Sequence, residues 1–219
     1  MAIEKTIVLN IEIVSDVVCP WCFIGKRRME KALKLVSQPF DLKLSWKPFE
    51  LNPLLPKEGV GYNEYLVEKF GDSDEVKELP GHVQQAAASA DLHFEFNRIK
   101  RLPNTFDAHR LIWFAGQAGF QDQIVERLFR AVFFEGKFVG DLAVLAETAL
   151  SAGLNYSEVK RFLDSREGRE EVRSEIELSL KRGVQGVPNF LINGHYVIRG
   201  AQPPEVMAQI LERASRESA

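Results

Sequence analysis

A chain of 219 residues that is 45% hydrophobic and carries a net charge of −3 has the material for one large core or two small ones, at about 150 residues per domain. Its mild acidity gives no global basic field to favour nucleic acid. No stretch approaches the roughly 18 consecutive apolar residues of a membrane span, and no signal peptide is visible before the first strand pattern, so the expectation is a cytoplasmic protein with no membrane partner.

The first element is a strand over Thr6 to Val14, with Ile7, Leu9, Ile11 and Ile13 on one face. It leads to Cys19-Pro20-Trp21-Cys22, which holds both cysteines of the chain. Pro20 suits the first turn of a helix, where its missing N–H would have been an orphan. Cys19 then falls at or beside the N-cap, in the positive end of the helix dipole. Orphan N–H donors and dipole both favour thiolate over thiol, which makes Cys19 a nucleophile and a good leaving group. Cys22, one turn further in, is placed to attack a mixed disulfide formed at Cys19. This reading makes Cys19 the accessible thiol and Cys22 the shielded one.

Three plainer uses of the pair compete. A structural zinc site needs four ligands, and His82, His93, His109 and His195 are scattered, so no metal is expected. A structural disulfide between residues three apart closes a tiny loop and removes little unfolded-state entropy. Two inert thiols would pack as small hydrophobes and would not need a proline between them at a strand-to-helix junction. In a reducing compartment a C-x-x-C pair reads as catalytic rather than structural.

The helix continues from Cys22 to Val36, with Met29, Leu33 and Val36 on its inner stripe. Gly25 weakens it locally, and Arg27, Arg28, Lys31 and Lys34 form a solvated basic face. Asp41 to Lys47 alternates and predicts a second strand, stopped by Pro48. Strand, helix and strand make one crossover, so the two strands are parallel. A loop from Leu51 to Gly61 follows. From Tyr62 to about Arg182 the periodicity is helical, with no convincing strand. One helix starts at Phe106, capped at Asn104 or Thr105. Others cover Gln121 to Phe134, Asp141 to Ser151, Tyr156 to Asp164 and Arg169 to Lys181. Trp113, Phe114, Phe129, Phe133 and Phe134 read as core at helical spacing, an apolar groove near the thiols being the alternative. Asn189 to Ile192 and His195 to Ile198 flank Asn193-Gly194, a strong hairpin signal. Pro203-Pro204 opens a last helix to about Arg213.

The order β-α-β, helical block, β-β-α resembles the thioredoxin superfamily, in its DsbA-like branch with a helical insertion. The residues that carry the resemblance are Ser15 to Cys22, Pro48-Phe49-Glu50-Leu51-Asn52-Pro53, Asn104 to Arg110 and Gly186-Val187-Pro188-Asn189 through Gly194. They are similar to the FrnE-type group of cytoplasmic DsbA-like proteins, related to 2-hydroxychromene-2-carboxylate isomerases and kappa-class glutathione transferases. The resemblance implies an α/β, thioredoxin-like fold with a large all-helical insertion. Residues 1–61 and 183–219 would form a discontinuous thioredoxin-like domain, and 62–182 a helical insertion domain packed over it.

The same resemblance implies thiol–disulfide exchange at Cys19 and Cys22. Pro20, Trp21, Val187 and Pro188 support the site, and the Val187–Pro188 bond is cis and faces the thiols. Substrates are disulfides or thiols, of proteins or small molecules. No cofactor is bound, and glutathione is a candidate redox co-substrate. Trp21 lacks the positive charge a histidine could offer, which implies a less oxidising pair than that of DsbA. With no second cysteine pair, an internal thiol relay is excluded. Glu12 and Asp16 are the two candidates for a buried carboxylate assisting the inner cysteine, with a solvated loop carboxylate or local cap as the other reading of Asp16. Asn104, Thr105 and Arg110 are candidate ligand contacts, with helix capping and surface charge as the alternative. A glutathione-dependent isomerase or transferase is the second functional reading. Those relatives usually carry serine where Cys19 stands, and the two cysteines here argue against their mechanism. A non-catalytic binding module is the third.

Overall fold

Period-two alternation in the first segment builds the strand it predicts. In β1 (Ile7–Ser15), Leu9, Ile11 and Ile13 are buried. The computed structural model describes residues 7–71 and 74–217, so Thr6 lies outside the described residues. After β1 comes α1 (Pro20–Leu33), which ends before Val36. Lys34 and Leu35 donate to carbonyls three residues back, the tightened last turn that commonly closes a helix. β2 (Phe40–Pro48) then runs parallel to β1, with Ile11 opposite Leu44.

The next segment departs from the sequence reading in one detail. β3 (Val60–Gly61) pairs antiparallel with β4 (Arg101–Leu102), and α2 (Tyr62–Phe70) and α3 (Asp74–Ala88) lie between them. A two-residue strand is too short to show alternation, so β4 was hidden in a block read as helical throughout. The rest of that block is helical: α4 (Phe106–Gln117), α5 (Gln121–Phe133), α6 (Leu142–Ser151), α7 (Tyr156–Asp164) and α8 (Arg169–Lys181). The chain closes with β5 (Asn189–Ile192), β6 (Tyr196–Arg199) and α9 (Pro204–Arg216). Asn193 and Gly194 both have positive φ, 49° and 74°, as a tight hairpin turn requires. The sheet order is β2-β1-β5-β6, with β5 antiparallel to β1 and to β6. This is the α/β thioredoxin-like architecture with a helical insertion.

One apolar cluster joins the sheet to the inserted helices. Phe23 of α1 stacks on Phe129 of α5 with ring centroids 4.9 Å apart, and Phe94 meets Phe133 at 4.8 Å. Phe114 stacks on Phe162 at 4.4 Å. Phe129 and Phe133 are therefore the joint between the two parts rather than the wall of a groove. β2 is an edge strand, and its backbone at Trp46 is not left open. Gln121 of α5 accepts from Trp46 N at 2.8 Å and donates to Trp46 O at 3.2 Å, which covers a stretch of edge that would otherwise invite pairing.

The basic run is solvated only in part: Lys34 is exposed, Arg27, Arg28 and Lys31 are half-buried, and the neighbouring Lys26 is buried. Lys26 is buried, 2.5 Å from Glu30 and 3.4 Å from both Asp122 and Glu126 of α5. Arg27 bridges Glu30 and Glu126, Arg28 donates to the Ala201 carbonyl, and Lys31 pairs with Asp91 at 2.8 Å. Helical spacing within α1 could not reveal acidic partners that arrive from a helix about a hundred residues away. Of these groups Lys26 is the buried one, so removing a carboxylate beside it leaves its charge less compensated.

Candidate functional site

The C-terminal end of β1 delivers Ser15 and Asp16 to the start of α1. The Asp16 carbonyl accepts from Cys19 N at 3.0 Å, closing the turn that sets Cys19 as the N-cap of α1, with φ −91° and ψ 111°. Pro20 occupies the first turn, as its fixed φ suits. The Cys19 sulfur takes none of the orphan N–H groups, so the helix end offers it a dipole rather than a capping hydrogen bond. Instead Sγ lies 3.8 Å from the Val187 carbonyl oxygen, on the loop whose Val187–Pro188 bond is cis.

The two thiols are free, and both are buried, Cys19 at 4% exposure and Cys22 at 1%. The expected contrast between an accessible and a shielded thiol is thus small in this state. Cys19 sits in the same apolar cluster as Val17, with Val18 and Val187 packed against it. Trp21, 39% exposed, is the outward face of the motif.

Gly25 has a reason that helix propensity did not suggest. A Cβ there would lie 2.9 Å from Pro188 Cγ and 3.1 Å from Phe190 Cζ. The bare backbone lets α1 approach the Val187–Pro188 loop, so Gly25→Ala is expected to push the two apart. The gain of up to ~1 kcal/mol in helix propensity is opposed by an overpacking cost of about 1–3 kcal/mol. Thermal melts should show no stabilisation, and disulfide exchange should slow because the Val187 carbonyl moves relative to Cys19.

Burial pushes the Cys22 thiol well above its ordinary value of 9.0, and the neighbouring Cys19 adds to the push. The Ser15 hydroxyl and the Asp16 backbone act in the opposite direction. Above pH 9 the unfolded chain has released this proton while the folded chain still holds it. The unfolded state then binds fewer protons, and stability falls as pH rises, by at most about 1.4 kcal/mol per pH unit. Denaturation midpoints of the reduced protein are expected to drop between pH 9 and 10.5 more steeply than those of Cys22→Ala. Equal slopes would show that Cys22 titrates normally.

Asp16 is fully buried, which overturns its reading as a solvated loop carboxylate. Oδ2 accepts from Leu51 N at 2.8 Å, tying down the segment after β2, and Oδ1 lies 3.5 Å from His109 Nε2. That nitrogen is 3.0 Å from the Phe49 carbonyl. A carbonyl only accepts, so Nε2 carries a proton. Glu50 is raised by its own burial, pulled down by His109 and pushed up by Asp16 and Asp107. Glu12, by contrast, is a surface partner of Arg182 at 2.9 Å. Ser15, Glu50 and His109 were not singled out as site residues from sequence. All three stand in or beside the segments that carried the resemblance.

Of the inserted-helix candidates, Asn104 and Arg110 are held by contacts within the protein. Asn104 Oδ1 accepts from Phe106 N at 3.0 Å and its Nδ2 donates to the Leu55 carbonyl at 3.1 Å. Thr105 is the buried N-cap of α4 but makes no side-chain cap. Arg110 is 0% exposed and so carries no surface charge. Its guanidinium donates to the carbonyls of Phe162, Leu163, Ser165 and Glu167 and to Asp107. With every face engaged, it has nothing left for a ligand.

Among the described residues no group of His, Cys, Asp and Glu could hold a metal ion, and no helix is long and apolar enough to cross a membrane.

The fold and the paired thiols define a class. Residues 10–212 match the DSBA-like thioredoxin domain, and the chain belongs to that family of disulfide oxidoreductases. It is similar to a probable DsbA oxidoreductase from Streptomyces coelicolor, at 32% identity and a TM-score of 0.89, covering 96% of this chain and 92% of that one. YwbO of Bacillus subtilis (strain 168), an uncharacterized protein, is 26% identical over 204 residues, 93% of this chain and 96% of its own length. The cytosolic disulfide reductase DsbM from Pseudomonas aeruginosa, in a structure with GSH, shares the fold at 18% identity and a TM-score of 0.65, covering 94% and 99%.

Proposed function

We propose that this protein is a thiol–disulfide oxidoreductase working through Cys19-Pro20-Trp21-Cys22, in the FrnE-like part of the family and in a reducing compartment. The observation that carries the reading is the arrangement of the two sulfurs. Cys19 stands at the helix N-cap against the Val187 carbonyl, and Cys22 is buried one turn behind it with a raised pKa. The Cys19 thiolate attacks a substrate disulfide; one substrate sulfur leaves as thiolate and the other stays bonded to Cys19. Cys22 then loses its proton and attacks Cys19 Sγ, and the second substrate sulfur leaves. Two electrons pass to the substrate, and the protein holds a Cys19–Cys22 disulfide. Run backwards, the same steps oxidise a dithiol.

The Val187 backbone gives an extended substrate strand a hydrogen-bonding partner beside Cys19, and Pro20 and Trp21 shape the approach. Glutathione fits as the reductant that returns the pair to its thiols. Residues 62–182 serve as an insertion domain on a core made of 1–61 and 183–219.

The glutathione-dependent isomerase or transferase reading is tested beside this one. Insulin reduction with glutathione as electron source is measured in parallel with glutathione conjugation and 2-hydroxychromene-2-carboxylate isomerisation. The expected result is catalysed insulin reduction alone. Conjugation or isomerisation without insulin reduction would overturn the assignment.

A further inference from the structure

Alternation along β1 puts Glu12 and Val14 on the face of the sheet opposite the buried Ile11 and Ile13. Strand register sets their neighbours. Val14 stands opposite Asn189 of β5, which stands opposite Arg199 of β6, and Glu12, Leu191 and Val197 form the next row. Residues directly opposite one another share a face. Ser179, Arg182 and Val184, in and after the last turn of α8, close these rows into a cavity of about 70 Å³, room for several waters or one small organic group. Two of its polar side chains are buried, Asn189 at 6% exposure and Ser179 at 5%. Neither side chain meets a hydrogen-bond partner among the described residues. Buried polar groups without partners are costly and uncommon, and two of them lining one cavity mark it as a binding site.

Charge selects the occupant. Glu12 is balanced by Arg182 at 2.9 Å, whereas the Arg199 guanidinium has no acidic partner among the described residues, so the pocket holds one uncompensated cation. The C-terminal end of a helix disfavours anions, but the last carbonyls of α8 are occupied. Those of Leu178, Ser179 and Leu180 accept from the backbone N–H groups of Arg182, Val184 and Gly183. Val14, Leu191 and Val197 make the remaining wall apolar. We propose that this pocket binds a small organic monocarboxylate. Its two oxygens take the Arg199 fork, with the Asn189 amide and the Ser179 hydroxyl donating beside it, and its short carbon stem lies on the apolar wall. A tetrahedral phosphate would turn an oxygen toward that wall and bring more negative charge beside Glu12. Asn189 directly follows the cis Val187–Pro188 bond, so a bound carboxylate holds the start of β5 next to the loop whose Val187 carbonyl meets Cys19.

Binding rather than exchange reads this pocket, so the outcome is independent of the thiol chemistry proposed above. Sodium propionate is titrated into isotope-labelled, full-length reduced protein at constant ionic strength, and backbone amide shifts are followed by NMR. Propionamide serves as the neutral isostere and inorganic phosphate as the alternative anion. Saturable shifts at Asn189 and Arg199 are expected with propionate and none with propionamide. Arg199→Gln, a change at an exposed position, should weaken propionate on the order of tenfold or more, the scale of losing a charge-assisted pair. Ser179→Ala, which removes one neutral donor, should weaken it severalfold. The absence of saturable shifts with propionate overturns the proposal, as does an equal response to propionamide. Tighter binding of phosphate, or propionate binding undiminished in Arg199→Gln, overturns it as well.

Discussion

Replacing Arg110 with methionine is expected to cost about 3–5 kcal/mol of stability, the scale of breaking a buried charged network. The side chain is fully buried and holds four carbonyls, of Phe162, Leu163, Ser165 and Glu167, at 2.8 to 3.2 Å, besides Asp107 at 2.8 Å. Those carbonyls close the end of α7 and the turn into α8, where helix termini leave backbone acceptors without partners. Methionine fills similar volume and can accept but not donate, so the Leu163, Ser165 and Glu167 carbonyls lose the guanidinium as donor, while that of Phe162 keeps the Ser165 N–H and hydroxyl. Each orphan carbonyl costs about 1–3 kcal/mol, moderated by relaxation of the turn. Arg110→Lys should recover little, because a point charge on a flexible stem cannot reproduce the planar fork. Urea denaturation reads the difference directly. A methionine variant within about 1 kcal/mol of wild type would show that the guanidinium merely fills space, contrary to the geometry. At temperatures where the variant stays folded, disulfide exchange should persist, since Arg110 is part of the frame and not of the chemistry.

Arg110 also marks where sequence reading stops. Its neighbours on α4 told of a helix and a cap, both of which exist, but apart from Asp107 its partners come from more than fifty residues away. The same holds for Lys26 and Arg27, which besides Glu30 on their own helix meet acidic partners from α5, and for Asp16, buried by a contact to Leu51 and a neighbour in His109. A charged residue looks solvated in one dimension until the fold supplies its counterpart. Local patterns fared better because their physics is local. Alternation over Ile7 to Ile13 set one buried face, Asn193-Gly194 supplied the two positive φ values of its turn, and Pro20 fixed where α1 begins. Gly25 was legible as a weak point of a helix. Only the structure shows that Pro188 and Phe190 stand where its side chain would be.

Cys19→Ser and Cys22→Ser should fail in different ways, and the difference is the largest effect expected at this site. Serine in place of Cys19 removes the sulfur that meets the substrate, at the helix N-cap facing the Val187 carbonyl. Its hydroxyl is a far weaker nucleophile than a thiolate, so exchange should fall on the order of a thousandfold or more. Serine in place of Cys22 leaves that first attack intact and removes the group that resolves it. Such a variant should accumulate a mixed disulfide at Cys19, visible by mass spectrometry as a substrate adduct on a Cys19 peptide. Volume changes little, but serine buries a hydroxyl in the apolar cluster that holds both thiols, so a loss of about 1–3 kcal/mol is expected and exchange is compared at temperatures where each variant is folded. The burial of both thiols adds a condition. A bulky maleimide should label the native reduced protein slowly, and a small iodoacetamide should reach Cys19 before Cys22. The reverse order, or an adduct trapped on Cys22 in Cys19→Ser, would exchange the roles of the two sulfurs. The helix N-cap would then be the wrong end of the motif from which to derive nucleophilicity.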